Sequence, residues 1–320
     1  MIFMYLLGII AGVASTAQVS INGKVREVLR SPYHAAVLSF VVAGIIMSAI
    51  ILVAEGRLYI PLRSIASQPL WIWLGGSCGT AIIILNVVCL PKLGSARNVM
   101  IVCFGQVMSG LVIDQFGLFG SPVVSMTFTR TFGALIVLLG VALVNGIKLP
   151  GRSDGTVDMD EPVSSVSLYL VLALLDGFAC AAQIAINGTL NKYAGSAAKA
   201  TLVSMTVGLI TTLAVIALIS MVRGRRYVFD GGRTVPWTRM LRPWMVFGGV
   251  MSVVVVGGNA VVAPAAGAGI VTVLNLIGMM GMALYVDAIG FLGIDRKPVT
   301  VSKFAGMILM AAGTAVISLV

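Results

Sequence analysis

The chain has 320 residues, of which 59% are hydrophobic and only 10% are charged, and its formal net charge is +10. Soluble globular domains carry about 25% charged residues, so this composition excludes an ordinary soluble domain. The positive charge alone would suit a nucleic-acid-binding protein, but its distribution along the chain, described below, argues against that class.

Ten apolar runs follow one another along the chain, and each is about 20 residues long, which an α-helix needs to cross a hydrocarbon core of about 30 Å. The predicted helices are residues 2–21, 35–53, 70–90, 95–113, 123–144, 166–186, 200–221, 244–262, 269–287 and 299–319. The first run lacks the basic start and the cleavage site of a removable signal peptide. The sequence therefore predicts an all-α polytopic membrane protein with ten transmembrane helices.

Residues and motifs typical of catalysis or metal binding are scarce in this sequence. It contains neither a glycine-rich nucleotide loop nor an HExxH motif, and His34 is the only histidine, which excludes a His-pair zinc site. We expect the four cysteines to be buried free thiols, because they fall inside apolar runs without CxxC spacing: Cys78, Cys89, Cys103 and Cys180. The sequence therefore predicts no enzyme, no metal site and no cofactor.

Lysine and arginine are distributed unequally between the two sides of the predicted bundle. The loops after helices 1, 3, 5, 7 and 9 share one side and carry sixteen of them, and the opposite side carries four. An excess of basic residues marks the cytoplasmic side, so both termini are expected outside a bacterial-type inner membrane. The charge thus indicates orientation in a lipid bilayer, and no nucleic-acid partner is expected.

The two halves of the chain repeat each other. The stretch AQVSING at residues 17–23 returns as AQIAING at residues 182–188, a shift of 165. A shift of 173 aligns a second set, namely Trp71, Gly75, Asn86, Pro91, Gly105 and Asp114 with Trp244, Gly248, Asn259, Pro264, Gly278 and Asp287. Each half holds five spans, an odd number, so the second copy must cross the membrane in the opposite direction. We therefore predict two inverted five-helix repeats, residues 1–148 and 166–320, joined by a polar linker at 149–165.

Several short motifs carry a resemblance to a known family. GGSCGTAIIILN at residues 75–86, GQ at 105–106 and DQFGLFG at 114–120 resemble the drug/metabolite transporter (DMT) superfamily, and within it the YdcZ-type, EamA-like branch in a fused double-length form. The likeness covers nearly the whole chain, but Met279 stands where Gln106 stands in the first half. The resemblance implies an inner-membrane transporter of small metabolites, with export as one option.

Polar side chains inside the spans are costly in lipid and are therefore candidates for function. Six amides are expected to line a cavity between the halves, walled by predicted helices 1, 4, 6 and 9: Gln18, Asn22, Gln106, Gln183, Asn187 and Asn275. Gln18 and Asn22 are four residues apart and share one helix face. The alternative for the two Asn-Gly pairs is that their glycines end the helices in a left-handed cap.

Asp176 is the one acidic residue expected near the middle of a span. Its counterpart in the first half is Ala11, so the repeated fold does not require a carboxylate there. We expect Asp176 to couple transport to protons or to bind a cation. The alternative is that Asp176 lies closer to a helix end and reaches water.

Two further acidic residues are followed sixteen positions later by a basic residue across a glycine-rich connection. These are Asp114 with Arg130 and Asp287 with Lys303, and we expect them to form structural ion pairs between adjacent helices, because opposite charges reduce the cost of burial. The alternative for Arg130 is that it attracts an anionic substrate.

These features predict a secondary transporter of a small polar or amphipathic metabolite that works by alternating access. The repeat suits this function because two copies facing opposite ways can open one central site to either side. A channel or passive facilitator is the leading alternative, although neither a charged ring nor a filter-like loop is present. A non-transporting membrane scaffold is the third.

Overall fold

The computed structural model describes residues 2–144, 163–223, 242–266, 268–293, 296 and 300–318, and it contains no β-strand within these ranges. Its helices are α1 Ile2–Leu29, α2 Pro32–Glu55, α3 Leu62–Ala66, α4 Leu74–Leu93, α5 Ser95–Phe116, α6 Phe128–Val144, α7 Val163–Ala194, α8 Ala197–Arg223, α9 Phe247–Ala266, α10 Ala268–Ile289 and α11 Val301–Ser318. The predicted linker at 149–165 lies outside the described residues, apart from the first residues of α7.

Seven helices are long and apolar enough to cross a membrane, namely α1, α2, α4, α5, α7, α8 and α9. Helices α6, α10 and α11 contain shorter apolar stretches, namely Phe128–Gly140, Leu274–Ile289 and Val301–Ile317. Large apolar side chains lie on the outside of the bundle, such as Val53 at 89%, Phe128 at 87% and Val301 at 85% exposure. Lipid solvates such a surface, whereas water would not. The prediction of an all-α membrane protein is therefore confirmed.

Neither Asn-Gly pair ends its helix. Helix α1 continues to Leu29 and α7 to Ala194, and neither Gly23 nor Gly188 has the positive φ of a left-handed cap. The alternative interpretation of these pairs as helix ends is therefore wrong. With 28 residues, α1 is about 42 Å long and is longer than the hydrocarbon core is thick. The apolar run used for the prediction ends where the lipid ends, whereas the helix itself continues beyond it.

Glycines allow the central helices to approach each other closely. Gly12 of α1 faces Gly278 of α10, and Gly177 of α7 faces Gly105 of α5. A shift of 165 takes Gly12 to Gly177, and a shift of 173 takes Gly105 to Gly278, so the two crossings are the same contact in the two copies. Small residues at such crossings let backbones pack where no hydrophobic drive exists between helices.

Two other contacts join a helix to its own counterpart in the other half. Helix α6 packs against α11, with Gly133 beside Gly313 and Gly140 beside Gly306, and α2 packs against α8. Helix α6 also packs against α5, and α11 packs against α10. The central helices α1, α4, α5, α7, α9 and α10 therefore surround the space where the candidate site lies.

Candidate functional site

A cavity with a volume of about 540 Å³ lies at the end of the bundle where α5 ends and α6 begins. Its polar lining residues are Gln106, Asp114, Ser121, Arg130, Gln183, Asn187, Thr189, Asn191, Lys192, Asn259, Thr272 and Thr314. Apolar side chains of α5, α7 and α9 separate them, such as Leu111, Ile184 and Val255. This volume falls within the range of about 300–1,000 Å³ for small-molecule sites, and we call it the large cavity.

A smaller pocket of about 80 Å³ lies between the halves and shares residues with the large cavity. Four of the predicted amides line this central pocket, namely Gln18, Gln106, Gln183 and Asn275. Gln18 Nε2 donates to Ser252 Oγ at 2.6 Å, and Gln183 Nε2 donates to the carbonyl oxygen of Gly75 at 3.1 Å. Each glutamine thus bonds to a helix of the opposite half, α1 to α9 and α7 to α4.

The third pocket, of about 40 Å³, lies toward the opposite end of the bundle, where α1 and α4 end, and we call it the small pocket. Asn22 lines it and is only 2% exposed. Ser39 Oγ donates to Asn22 Oδ1 at 3.0 Å, and Arg26 Nη1 donates to the carbonyl oxygen of Val87 at 2.9 Å. These hydrogen bonds hold α1 against α2 and α4, and they close this end.

The equivalent contacts are absent or longer at the end with the large cavity. Asn187 and Ser204 correspond to Asn22 and Ser39, yet Asn187 Oδ1 and Ser204 Oγ are both buried without a hydrogen-bond partner in the described part of the chain. The counterpart of the Arg26 contact joins Asn191 Nδ2 to the carbonyl oxygen of Ala260 at 3.5 Å. Helices α7 and α9 are therefore held together less tightly than α1 and α4.

The helices that form the wall of the large cavity are not all those that the sequence predicted. Of the predicted helices, those that correspond to α5, α7 and α10 contribute to it, but α1 contributes no residue. Helix α9 was not predicted to take part, and it supplies Asn259, which accepts a hydrogen bond from Asn275 Nδ2 at 2.8 Å. The large cavity lies toward one end of the bundle, and α9 therefore forms part of its wall. Helix α1 lines only the central and small pockets.

Sequence reasoning also missed three buried polar residues at the helix contacts around the site. Ser39 and Ser204 were not singled out, although the shift of 165 that aligns the two AQ…NG stretches also aligns these serines. Asn98 donates through Nδ2 to Asn86 Oδ1 at 2.8 Å, in parallel with the Asn275–Asn259 bond in the other half. No repeat could have revealed Asn98, because the position that corresponds to it is Val271.

Asp176 lies near the middle of α7 and is 0% exposed. Its Oδ2 has no hydrogen-bond partner among the described residues, and its Oδ1 is contacted by Cys180 Sγ at 3.9 Å. Asp176 lines none of the three pockets, but Cys180, one turn further along α7, lines both smaller ones. The carboxyl group therefore lies one residue layer behind the pocket wall.

The two ion pairs are present in the structure. Arg130 Nη2 lies 2.8 Å from Asp114 Oδ2, and Lys303 Nζ lies 3.4 Å from Asp287 Oδ2. Arg130 also donates through Nη1 to the carbonyl oxygen of Val124 at 3.0 Å and through Nε to that of Ile317 at 3.4 Å. All three guanidinium nitrogens of Arg130 thus have a bonding partner, and these contacts hold the start of α6 against α5 and α11. The structure therefore disfavours the alternative that Arg130 attracts an anionic substrate.

Comparison with known proteins gives a family and a fold. No curated protein shows significant sequence similarity to the chain. A solved chain described only as "Crystal structure of protein" has a TM-score of 0.57 at 17% sequence identity, covering 99% of this chain and 96% of that chain. At this identity the likeness concerns the fold alone.

The family model DMT_YdcZ, described as "Putative inner membrane exporter, YdcZ", matches the chain twice, at residues 3–143 and 168–316. The two matches cover almost the whole sequence, and each corresponds to one half of the internal repeat. The resemblance seen in the motifs is thereby confirmed in its double-length form. The chain belongs to the YdcZ family of inner-membrane drug/metabolite transporters.

Proposed function

We propose that this protein is a secondary transporter that moves a small polar or amphipathic metabolite across the inner membrane by alternating access. In this proposal α1, α2 and α4 to α11 are its ten membrane-crossing helices, arranged as inverted five-helix repeats at residues 1–148 and 166–320. The reciprocal glycine contacts of α1 with α10 and of α7 with α5 support this two-fold relation. The family's description as an exporter supports the transport function.

The observation that carries the proposal is that equivalent residues of the two repeats line the small pocket and the large cavity. Five residues of the small pocket have counterparts in the large cavity. The residues of the small pocket are Gln18, Asn22, Asn86, Val87 and Met279. Their counterparts in the large cavity, in the same order, are Gln183, Asn187, Asn259, Ala260 and Gln106. Equivalent walls thus enclose about 40 Å³ at one end and about 540 Å³ at the other. Exchanging these two arrangements would open the site to the opposite side.

The Asn-Ser pairs are the contacts that change in this exchange. In the present state Ser39 is bonded to Asn22 at the closed end, and Ser204 is not bonded to Asn187 at the open end. In the opposite state we expect the second bond to form and the first to break. The basic loops assign the closed end to the cytoplasm, so this state is open to the outside, which for an exporter is the state that releases substrate.

The serine pair provides a test that needs no ligand. One hydrogen bond contributes about 1 kcal/mol, so Ser39→Ala should shift the equilibrium about five-fold toward the inward-open state. Ser204→Ala is the matched variant, and it should shift the equilibrium by a similar factor toward the outward-open state. The measurement is the rate at which membrane-impermeant thiol reagents label Gly188→Cys from outside and Gly23→Cys from the cytoplasmic side.

Gly188 and Gly23 suit this purpose because they occupy equivalent positions in the repeat. A Cβ on Gly188 would have no neighbour within 4 Å, whereas one on Gly23 would lie 2.9 Å from Leu90 Cδ2. The chain without added cysteines reports the background from the native thiols. Simultaneous rapid labelling of both positions would favour a channel, and serine variants that change neither rate would contradict alternating access.

A second prediction concerns the path through the large cavity. Gly110 lines this cavity, and a Cβ there would have no neighbour within 4 Å, so Gly110→Trp should fill the cavity without disturbing the fold. Labelling of Gly188→Cys should then slow about ten-fold or more. Gly281→Trp is the control, because Gly281 is exposed, also has open space and lines none of the pockets. Unchanged labelling in the Gly110 variant would show that reagent reaches Gly188 by another route.

A further inference from the structure

The charged groups in the wall of the large cavity indicate which class of molecule it accepts. Within the described residues these groups are Asp114, Arg130 and Lys192. Asp114 and Arg130 are bound to each other at 2.8 Å, and the remaining nitrogens of Arg130 donate to backbone carbonyls. This pair therefore adds no net charge to the cavity and offers no free cationic donor to a ligand.

Lys192 is the remaining charge, and it has no ion-pair partner in the described part of the chain. It lies in the last turn of α7, exposed at the mouth of the large cavity. The other lysine at this end, Lys199, is neutralised by Glu55 at 2.6 Å and does not line the cavity. The cavity wall thus carries one uncompensated positive charge, located where a ligand would enter.

The deeper part of the cavity is polar but uncharged. Gln106 is 4% exposed, and it lines both the large cavity and the central pocket. Gln183 lies beside it, nine residues before Lys192 on α7, which corresponds to about 13 Å along the helix axis. Between these levels the wall combines apolar side chains, such as Ile184 of α7 and Val256 of α9, with the uncharged amides of Asn187, Asn191 and Asn259.

We propose that the substrate is an elongated organic monoanion, with an acidic group that pairs with Lys192 and an apolar body that extends toward Gln106 and Gln183. A cation would meet Lys192 at the mouth without a free carboxylate in the described wall, since Asp114 is occupied by Arg130. This inference rests on the proposed function, because it takes the large cavity as the transport site.

Three probes that share one skeleton and differ in charge test the inference: 4-phenylbutyrate, 4-phenylbutyramide and 4-phenylbutylamine. Calorimetric titration of the purified full chain should show the carboxylate binding about five-fold more tightly than the amide, as expected for an ion pair at a solvent-accessible site. The amine should bind more weakly than both. In Lys192→Gln the acid and amide should bind equally, with the amide's affinity unchanged.

Lys199→Gln is the matched control and should keep the five-fold preference, because that lysine is paired with Glu55 away from the cavity. Equal affinities of the three probes in the unaltered chain, tighter binding of the amine, or no binding of any probe would overturn the proposal. So would a preference that survives in Lys192→Gln. Failure here is distinguishable from failure of alternating access, because the labelling of Gly23→Cys and Gly188→Cys uses no ligand.

Discussion

Asp176→Asn is expected to abolish the response of the transporter to protons while the protein remains at least as stable as the unaltered chain. The side chain is fully buried and its Oδ2 has no partner in the described residues, so a charge there is not compensated by the fold. An amide of the same shape removes that cost. It also removes the group that we propose gains and loses a proton during transport.

The measurement compares labelling of Gly188→Cys and Gly23→Cys over a range of pH. In the unaltered chain we expect the ratio of the two rates to vary with pH, and in Asp176→Asn we expect a constant ratio. Asp114→Asn is the contrasting variant, because it leaves Arg130 buried without its carboxylate and should lower the thermal unfolding midpoint. If Asp176→Asn were destabilising and its labelling ratio still varied with pH, Asp176 would be a structural residue.

Gly278→Ala is expected to prevent close packing of α10 on α1 and to destabilise the protein strongly. A Cβ at this position would collide with the carbonyl oxygen of Ile9, and Gly12 lies directly opposite. Overpacking in a core costs about 1–3 kcal/mol, and the obstacle here is backbone, which cannot rotate away. We therefore expect the thermal unfolding midpoint in detergent to fall by about 5 °C or more.

Gly281→Ala, three residues further along the same helix, is the matched control. A Cβ there would have no neighbour within 4 Å, and alanine is a better helix former than glycine by about 1 kcal/mol. Its midpoint should be unchanged or slightly raised. Equal stability of the two variants would mean that α1 and α10 do not cross at Gly12 and Gly278.

The sequence predicted the candidate residues better than it predicted their arrangement. The amides at positions 18, 106, 183 and 275 were found because polar groups inside apolar runs are costly, and the structure brings all four to the central pocket. It does not bring Asp176 to any pocket wall, although a separation of seven residues, about two helical turns, places Asp176 and Gln183 on the same side of α7. A stripe defines one side of a helix but not which neighbour that side meets.

Composition and repetition along the chain by themselves determined that this protein is helical, lies in a membrane and consists of two related halves. Local patterns suffice for these conclusions, because the length of an apolar run and the spacing of a repeat are properties of the sequence alone. They could not determine which end of the molecule holds the large cavity, since Asn22 and Asn187 follow the same pattern at both ends. Only the tertiary structure decided that, through the bond from Ser39 to Asn22 and the missing bond from Ser204 to Asn187. The physical reason is that a side-chain hydrogen bond between two helices depends on how closely those helices approach, and the order of residues along each helix does not specify that distance.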